Sequence, residues 1–466
     1  MKTTRAVVAA TFVVAGVAGV SLRADAQATP SKAQVARVVD SLAKEFITDK
    51  EHGSPGVSVS IVRGSDTLVM KGWGMADLEN DVPATAQTVY RIGSITKQFT
   101  SSAVMQLVQD GRVKLDEPIG TYLPTLPEAW RAATVRQYLN HTSGVPSYTN
   151  VGQRWVRRWG EEMPPDTLIA LTANDTLWFK PGTSWRYDNS GYVVLGMLME
   201  KVTGRPWGTD MYERFFKPLG LTNTENCLSR PLIKHRAQGY ELVKGEWTNA
   251  QYLAMTQPYA AGALCSTVGD LAKWDHALGT GRVVSPQSYA MMTTPEGAAA
   301  PRHYGFGLGT DTLAGQQVIR HNGGINGFIS DNAWFPDVQM SVTVLTNSGS
   351  ARAGDLLNQV AREALGVPLV RPPKRVALSA AELEKYAGTY VMTFGGQSRD
   401  FTFTVKDGQL ISQMEGQGPV PVIPYGNNTF GVSFDPNARL VFTMSGDRAT
   451  KVELRQGGNT VVGDRK

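Results

Sequence analysis

Apolar residues alternate in two widely separated stretches, and that spacing constrains the fold more than any other feature of the chain. Between Gly56 and Ile61, Val57, Val59 and Ile61 occupy every second position; a Gly64-Ser65-Asp66 turn follows, and Leu68 and Met70 resume the alternation. This is the pattern of a β-hairpin with one buried face. Strands return much later, over Val318 to His321, Phe328 to Trp334 and, after a Pro336-Asp337 turn, Val338 to Leu345, where the same alternation reappears. From about Asp110 to Leu313 lie helical patches broken by Pro and Gly. Strands at both ends of a mainly helical insertion imply one antiparallel sheet assembled from distant sequence, with amphipathic helices over 33–47 and 355–365 backing it. The class expected is α+β, an antiparallel sheet flanked by helices and interrupted by a helical insertion.

The chain of 466 residues, 42% hydrophobic, is long enough for two or three domains and a large core. Pro368, Pro372 and Pro373 mark a stiff linker over 367–379. Beyond Ala380, short alternating runs separated by Asp407-Gly408, Asp435-Pro436-Asn437 and Ser445-Gly446-Asp447 predict a small antiparallel β-barrel over 380–466. At the other end, Lys2 and Arg5, the apolar run Ala6 to Leu22 and the small-residue site Ala24-Asp25-Ala26 read as an export signal over 1–26. The main domain is then 27–366. The expected location is the periplasm or the exterior, with no stable membrane span once the signal is removed.

The formal charge of +5 falls to +3 when Lys2, Arg5, Arg23 and Asp25 leave with that signal, and no basic run supports nucleic acid binding. The six histidines show no metal-ligand spacing, so neither a metal nor another cofactor is expected. Cys227 and Cys265 suit one disulfide in an exported chain, worth roughly 3 to 4 kcal/mol in the chain-entropy model.

Chemistry enters at Arg91-Ile92-Gly93-Ser94-Ile95-Thr96-Lys97, where a serine precedes a lysine by three positions as a helix begins. Side chains at i and i+3 share a helix face, so Lys97 can reach the Ser94 hydroxyl and activate it without a histidine. Ser41-Leu42-Ala43-Lys44 has the same spacing but lies within the amphipathic 33–47 run and reads as a surface helix. Tyr187-Asp188-Asn189 stands in a turn-rich stretch ahead of an apolar helix, and His321-Asn322-Gly323-Gly324 ends a strand. Tyr148-Thr149-Asn150 and Tyr425-Gly426-Asn427 repeat Tyr-x-Asn with other flanks; the first directly follows the His141 loop and is placed to line the same cleft, and the second lies in the β-rich tail. No Gly-x-Ser-x-Gly elbow occurs, which argues against a Ser-His-Asp hydrolase.

Ser-x-x-Lys, Tyr-x-Asn and His-x-Gly in this order resemble the serine β-lactamase and penicillin-binding superfamily. More narrowly they resemble the class C β-lactamase-like, S12 peptidase-like serine hydrolases, over roughly residues 33–365. Leu139 to Pro146, Ala261-Gly262-Ala263 and Ser266 to Leu271 agree with that family, and Tyr386 to Tyr390 resembles the lipocalin-like module that some of its members carry. The resemblance implies acyl transfer through an ester on Ser94, with Lys97 and Tyr187 sharing the proton work. It also implies that Asn189 bonds Lys97 or substrate, and that the N–H groups of Ser94 and Gly324 stabilise the oxyanion. Gly323 lets a substrate backbone approach closely.

At His321 the family's β-lactamases carry lysine, so the fixed cation that holds a substrate carboxylate is missing here. D-amino-acid peptidase or carboxylesterase activity therefore ranks above β-lactam hydrolysis. Small molecules or short peptides, cell-wall fragments among them, are the expected substrates. A penicillin- or peptidoglycan-binding receptor without turnover is the alternative.

Overall fold

The computed structural model describes residues 30–369, 375–394, 397–415, 418–432, 435–456 and 459–466. The expected signal and residues 370–374 of the expected linker lie outside the described residues. The chain divides into two compact units between Leu369 and Val370.

The first unit is built on a seven-stranded antiparallel sheet. Its strands are β1 (Gly56–Arg63), β2 (Asp66–Asp77), β3 (Val82–Pro83), β4 (Gly309–Leu313), β5 (Gln316–Ile325), β6 (Phe328–Phe335) and β7 (Met340–Thr346). In space they run β3-β2-β1-β7-β6-β5-β4. The first and last long strands are therefore neighbours, and Val57, Val59 and Ile61 lie opposite Thr346, Val344 and Val342. Helix α1 (Lys32–Thr48) is capped by Ser31, whose side chain accepts the Gln34 N–H, and it buries Val35, Val39 and Leu42. These pack with Val57, Val59, Val342 and Val344, and with Leu356, Leu357 and Val360 of helix Ala353–Ala364, in one apolar cluster. A second, larger core fills the helical insertion and carries α2 (Thr96–Gln109) and α3 (Ser190–Thr203).

The hairpin and the three late strands stand where the sequence puts them, with two differences. Strand β5 does not end at His321 but continues to Ile325. It can do so because Gly323 has no side chain: a Cβ there would lie 2.0 Å from the Ile92 carbonyl oxygen. Residues Pro336–Val338 form a 3₁₀ turn, so β7 starts at Met340.

The expected disulfide is absent: Cys227 and Cys265 are both free and buried. The ladder opposes Cys265 to Glu225, while the Cys227 N–H bonds the Ala263 carbonyl. The two thiols are thus diagonal neighbours rather than directly opposed, and Cys265 Sγ donates to the Glu225 carbonyl at 3.8 Å.

In the second unit eight strands between Gly388 and Arg465 pair in sequence order, and the first closes on the last through Tyr390 and Arg465. Aromatic rings fill the core: Phe403 packs on Phe442 at 5.1 Å and on Tyr390 at 5.6 Å between ring centres. Eight strands leave an interior just wide enough for side chains to fill.

Candidate active site

Ser94 sits in a 3₁₀ turn, Gly93–Ile95, that runs directly into α2. Gly93 adopts a φ of 51°, and a Cβ there would meet Gly324 N at 2.9 Å. The turn before the nucleophile therefore presses against β5, and only glycine suits both the dihedral and the gap.

Lys97 is fully buried. Its Nζ donates to Ser94 Oγ at 3.1 Å, to Asn189 Oδ1 at 2.8 Å and to the Ala261 carbonyl at 2.8 Å. No carboxylate pairs with it among the described residues. Burial pulls its pKa down to about 7, against the pull of Asp188 in the other direction. Near neutral pH the amine is therefore free for part of the time, and its lone pair can take the Ser94 proton.

Asn189 immediately precedes α3 and is held from three sides. Besides accepting from Lys97, it donates through Nδ2 to Thr149 Oγ1 at 3.1 Å and through its backbone N–H to Ser147 Oγ at 3.0 Å. The Tyr148 N–H donates to Ser190 Oγ at 2.9 Å. The second Tyr-x-Asn copy, Tyr148 to Asn150, is thereby clamped onto the start of α3 and lines the same cleft, while Tyr425 belongs to the barrel unit.

Tyr187 lies over Lys97, its ring centre 4.8 Å from Nζ. Burial raises its pKa above the ordinary phenol range, opposed by a nearby Ser94 and reinforced by Asp188. The hydroxyl makes no hydrogen bond of normal geometry among the described residues. Buried polar atoms are rarely left so, and this one, over Lys97 and near Ser94, is free to act in the chemistry there.

Behind Tyr187 runs a buried chain of polar groups. The Asp188 N–H reaches His141 Nδ1 at 3.3 Å, His141 Nε2 lies 3.3 Å from Tyr304 Oη, and Tyr304 Oη lies 2.9 Å from His321 Nε2. His321 Nδ1 is 2.6 Å from the Asn322 carbonyl and must donate to it. That fixes Nε2 as the acceptor of the Tyr304 O–H, while His141 Nδ1 also lies 3.4 Å from Asp188 Oδ2. Burial, with Lys97 adding to it, holds the His321 pKa down at about 3. His321 is therefore a neutral, internally bonded imidazole, its ring centre 6.2 Å from that of Tyr187.

The sequence-derived residues thus converge. Ser94, Lys97 and Asn189 are bonded together, Tyr187 covers them, and Gly324 borders the same cavity of about 110 Å³. The close approach at Gly323 is to the Ile92 carbonyl, and neither residue is part of that cavity's lining. Of the aromatic residues near these motifs, Tyr148 and Trp155 line the cavity, whereas Trp185 packs against His141 and Tyr304. The parts played by the Ala261 carbonyl, Asp188 and Tyr304 lie beyond what the sequence marks. Ala261 stands within a recognisable phrase, but a backbone carbonyl leaves no mark in a sequence, and Tyr304 lies in no motif at all.

The β-lactamase family model matches residues 35–366. The chain is 28% identical over 313 residues to the putative penicillin-binding protein PbpX of Bacillus subtilis (strain 168), covering 67% of this chain and 75% of that protein. It is 28% identical over 355 residues to the D-aminopeptidase of Gluconobacter oxydans (strain 621H), covering 72% of this chain and 64% of that enzyme's length. Among solved structures, a D-stereospecific amidohydrolase from Streptomyces sp. superposes with a TM-score of 0.63 at 30% identity, over 73% of this chain and all of its own. The chain belongs to the β-lactamase family and is a serine hydrolase of the acyl-enzyme type.

Proposed function

We propose that the protein hydrolyses amide bonds of small D-amino-acid derivatives, and esters of similar shape, through an ester formed on Ser94. The observation that carries this reading is Lys97: fully buried, 3.1 Å from Ser94 Oγ, without a carboxylate partner and with its pKa lowered to about 7. A lysine in that setting is a general base at neutral pH.

The steps follow from the geometry. Neutral Lys97 takes the Ser94 proton as Oγ attacks the carbonyl carbon. The resulting oxyanion rests on the N–H groups of Ser94 and Gly324, donors typically worth 10²- to 10³-fold in rate each. Tyr187, whose raised pKa keeps it a phenol, gives its proton to the leaving nitrogen and is reprotonated from Lys97. Water then attacks the ester, its proton passing to Lys97, and the acid departs as Ser94 recovers the proton. Asn189 keeps the Lys97 amine aimed at Ser94.

The D-amino-acid preference rests on the D-aminopeptidase and D-stereospecific amidohydrolase among the similar proteins. The neutral, internally bonded His321 supplies no cation on β5, which favours amides and esters over β-lactams. These relatives also favour turnover over a receptor that is acylated and stays so. The N-terminal sequence supports export to the periplasm or beyond, where D-residues of cell-wall peptides are at hand; no described helix is long and apolar enough to cross a membrane.

Intact mass of the purified protein, taken seconds after mixing with a D-amino-acid amide, an activated ester and a penicillin, tests the proposal. A transient acyl adduct on the wild type and none on Ser94→Ala is expected, clearing fastest with the amide or ester. Turnover without any dependence on Ser94 would overturn it.

A further inference from the structure

We infer that a second cavity beside the Ser94 cleft is an anion subsite, which holds a carboxylate on the acyl part of the substrate. The inference rests on the reading that Ser94 is the nucleophile. This cavity has a volume of about 390 Å³, and it shares Asn326 with the cavity that Ser94 lines. Arg91 and Arg236 form part of its wall. Arg91 is three residues before Ser94, on a short strand, Tyr90–Arg91, that leads into the nucleophile's turn.

The two guanidinium groups are conspicuously short of partners. Arg91 is half-buried and lies over the ring of Phe328 at 5.8 Å, and its side chain makes neither a hydrogen bond nor an ion pair among the described residues. Arg236 has one long hydrogen bond, 3.4 Å to the Leu228 carbonyl, and no ion pair. Each cation lies within the other's field, and burial together with Arg236 lowers the Arg91 pKa. Glu79 is the one acid on the wall, and it accepts from Asn249 Nδ2 at 3.1 Å. Glu225, outside the wall, feels Arg236 but forms no ion pair with it. Two guanidinium groups on the wall of one recess that carries a single carboxylate, Glu79, are matched by a ligand carboxylate, which arginine binds with paired N–H donors.

Which half of the substrate carries that carboxylate follows from Tyr187. The leaving group belongs beside Tyr187, and Tyr187 borders neither cavity. The part that passes Asn326 is therefore the acyl part. A D-glutamyl group, with its side-chain carboxylate, has the required charge, whereas D-glutaminyl has the same shape without it.

Steady-state rates on D-glutamyl-p-nitroanilide and D-glutaminyl-p-nitroanilide test this directly. The wild type is expected to favour the acidic compound at least tenfold in kcat/KM, and Arg236→Gln, an exposed position, to reduce that preference at least fivefold. Equal rates in the wild type, or a preference that survives Arg236→Gln, would overturn the subsite. Calorimetric titration with glutarate reads the cavity without turnover: saturable binding that weakens in Arg236→Gln supports the subsite, and no binding counts against it. Glutarate binding by a protein that turns over neither compound nor an activated ester would sink the catalytic reading and leave the subsite standing. Turnover with neither acid preference nor glutarate binding would do the reverse.

Discussion

Two serine–lysine pairs of identical spacing occupy opposite environments in this molecule. Ser41 and Lys44 lie on α1, where the Lys44 side chain is 66% exposed and pairs with Asp40 at 2.6 Å. Ser94 and Lys97 lie where a 3₁₀ turn meets α2, with Lys97 wholly buried and bonded to a hydroxyl, an amide and a carbonyl instead of an acid. Solvent and a carboxylate both favour the ammonium; a dry site with only neutral acceptors favours the amine. Spacing brings a lysine within reach of a serine, and burial without a counter-charge makes that lysine a base.

The contrast breaks most visibly at the nucleophile. Ser94→Ala is expected to lower kcat/KM by more than about 10³-fold with the fold retained, while Ser41→Ala leaves it unchanged; steady-state kinetics with circular dichroism check both. Next comes Lys97→Met, which keeps the length and loses the amine. A fall of about 10² to 10⁴-fold is expected, against no measurable change for Lys44→Met.

The pH dependence sharpens the same point. The free amine is the active form, so kcat/KM should rise with pH through about 7 and level off above it. Asn189→Asp places a carboxylate against Lys97 Nζ, and should move that rise to higher pH; an unmoved profile would mean that another group titrates. Tyr304→Phe removes the O–H that His321 accepts, and the expected loss is smaller, about 10-fold or less, because neither ring touches Ser94.

The smallest effect concerns stability away from the cleft. Asp275 is buried and accepts from Ser341 and Asn332, and burial raises its pKa from 3.8 to about 7. A carboxyl raised on folding contributes stability that is full below pH 3.8 and is lost as pH climbs through about 7. Thermal melts should therefore show a wild-type Tm falling by about 2 °C or more between pH 4 and 8 relative to Asp275→Asn.

Alternation made β1, β2 and β7 legible, because one face of each carries the apolar residues even though β1 and β7 are buried on both sides, whereas β6 is legible from its apolar ends and the turn that follows it. The edge strands β3 and β4 escaped notice: Val82–Pro83 is two exposed residues and Gly309–Leu313 has no fully buried position, so neither carries a period. Around Ser94, the residues with a distinctive side chain in an ordered motif could be named from the sequence, as Lys97, Tyr187 and Asn189 were. The Ala261 carbonyl and the Tyr304 bridge could not, since one is main chain and the other gains meaning only when three distant segments meet. Cys227 and Cys265 show the reverse failure, in which two suggestive residues are adjacent and yet offset by the strand register.

Lysine ε-carbon NMR across pH 5 to 11, with Lys97→Met to assign the signal, reads the central property directly. A Lys97 resonance that titrates near pH 7 is the result expected of a buried, unpaired base. A Lys97 signal that stays protonated until pH 10 would contradict it and leave Ser94 without the activation on which the catalytic reading depends.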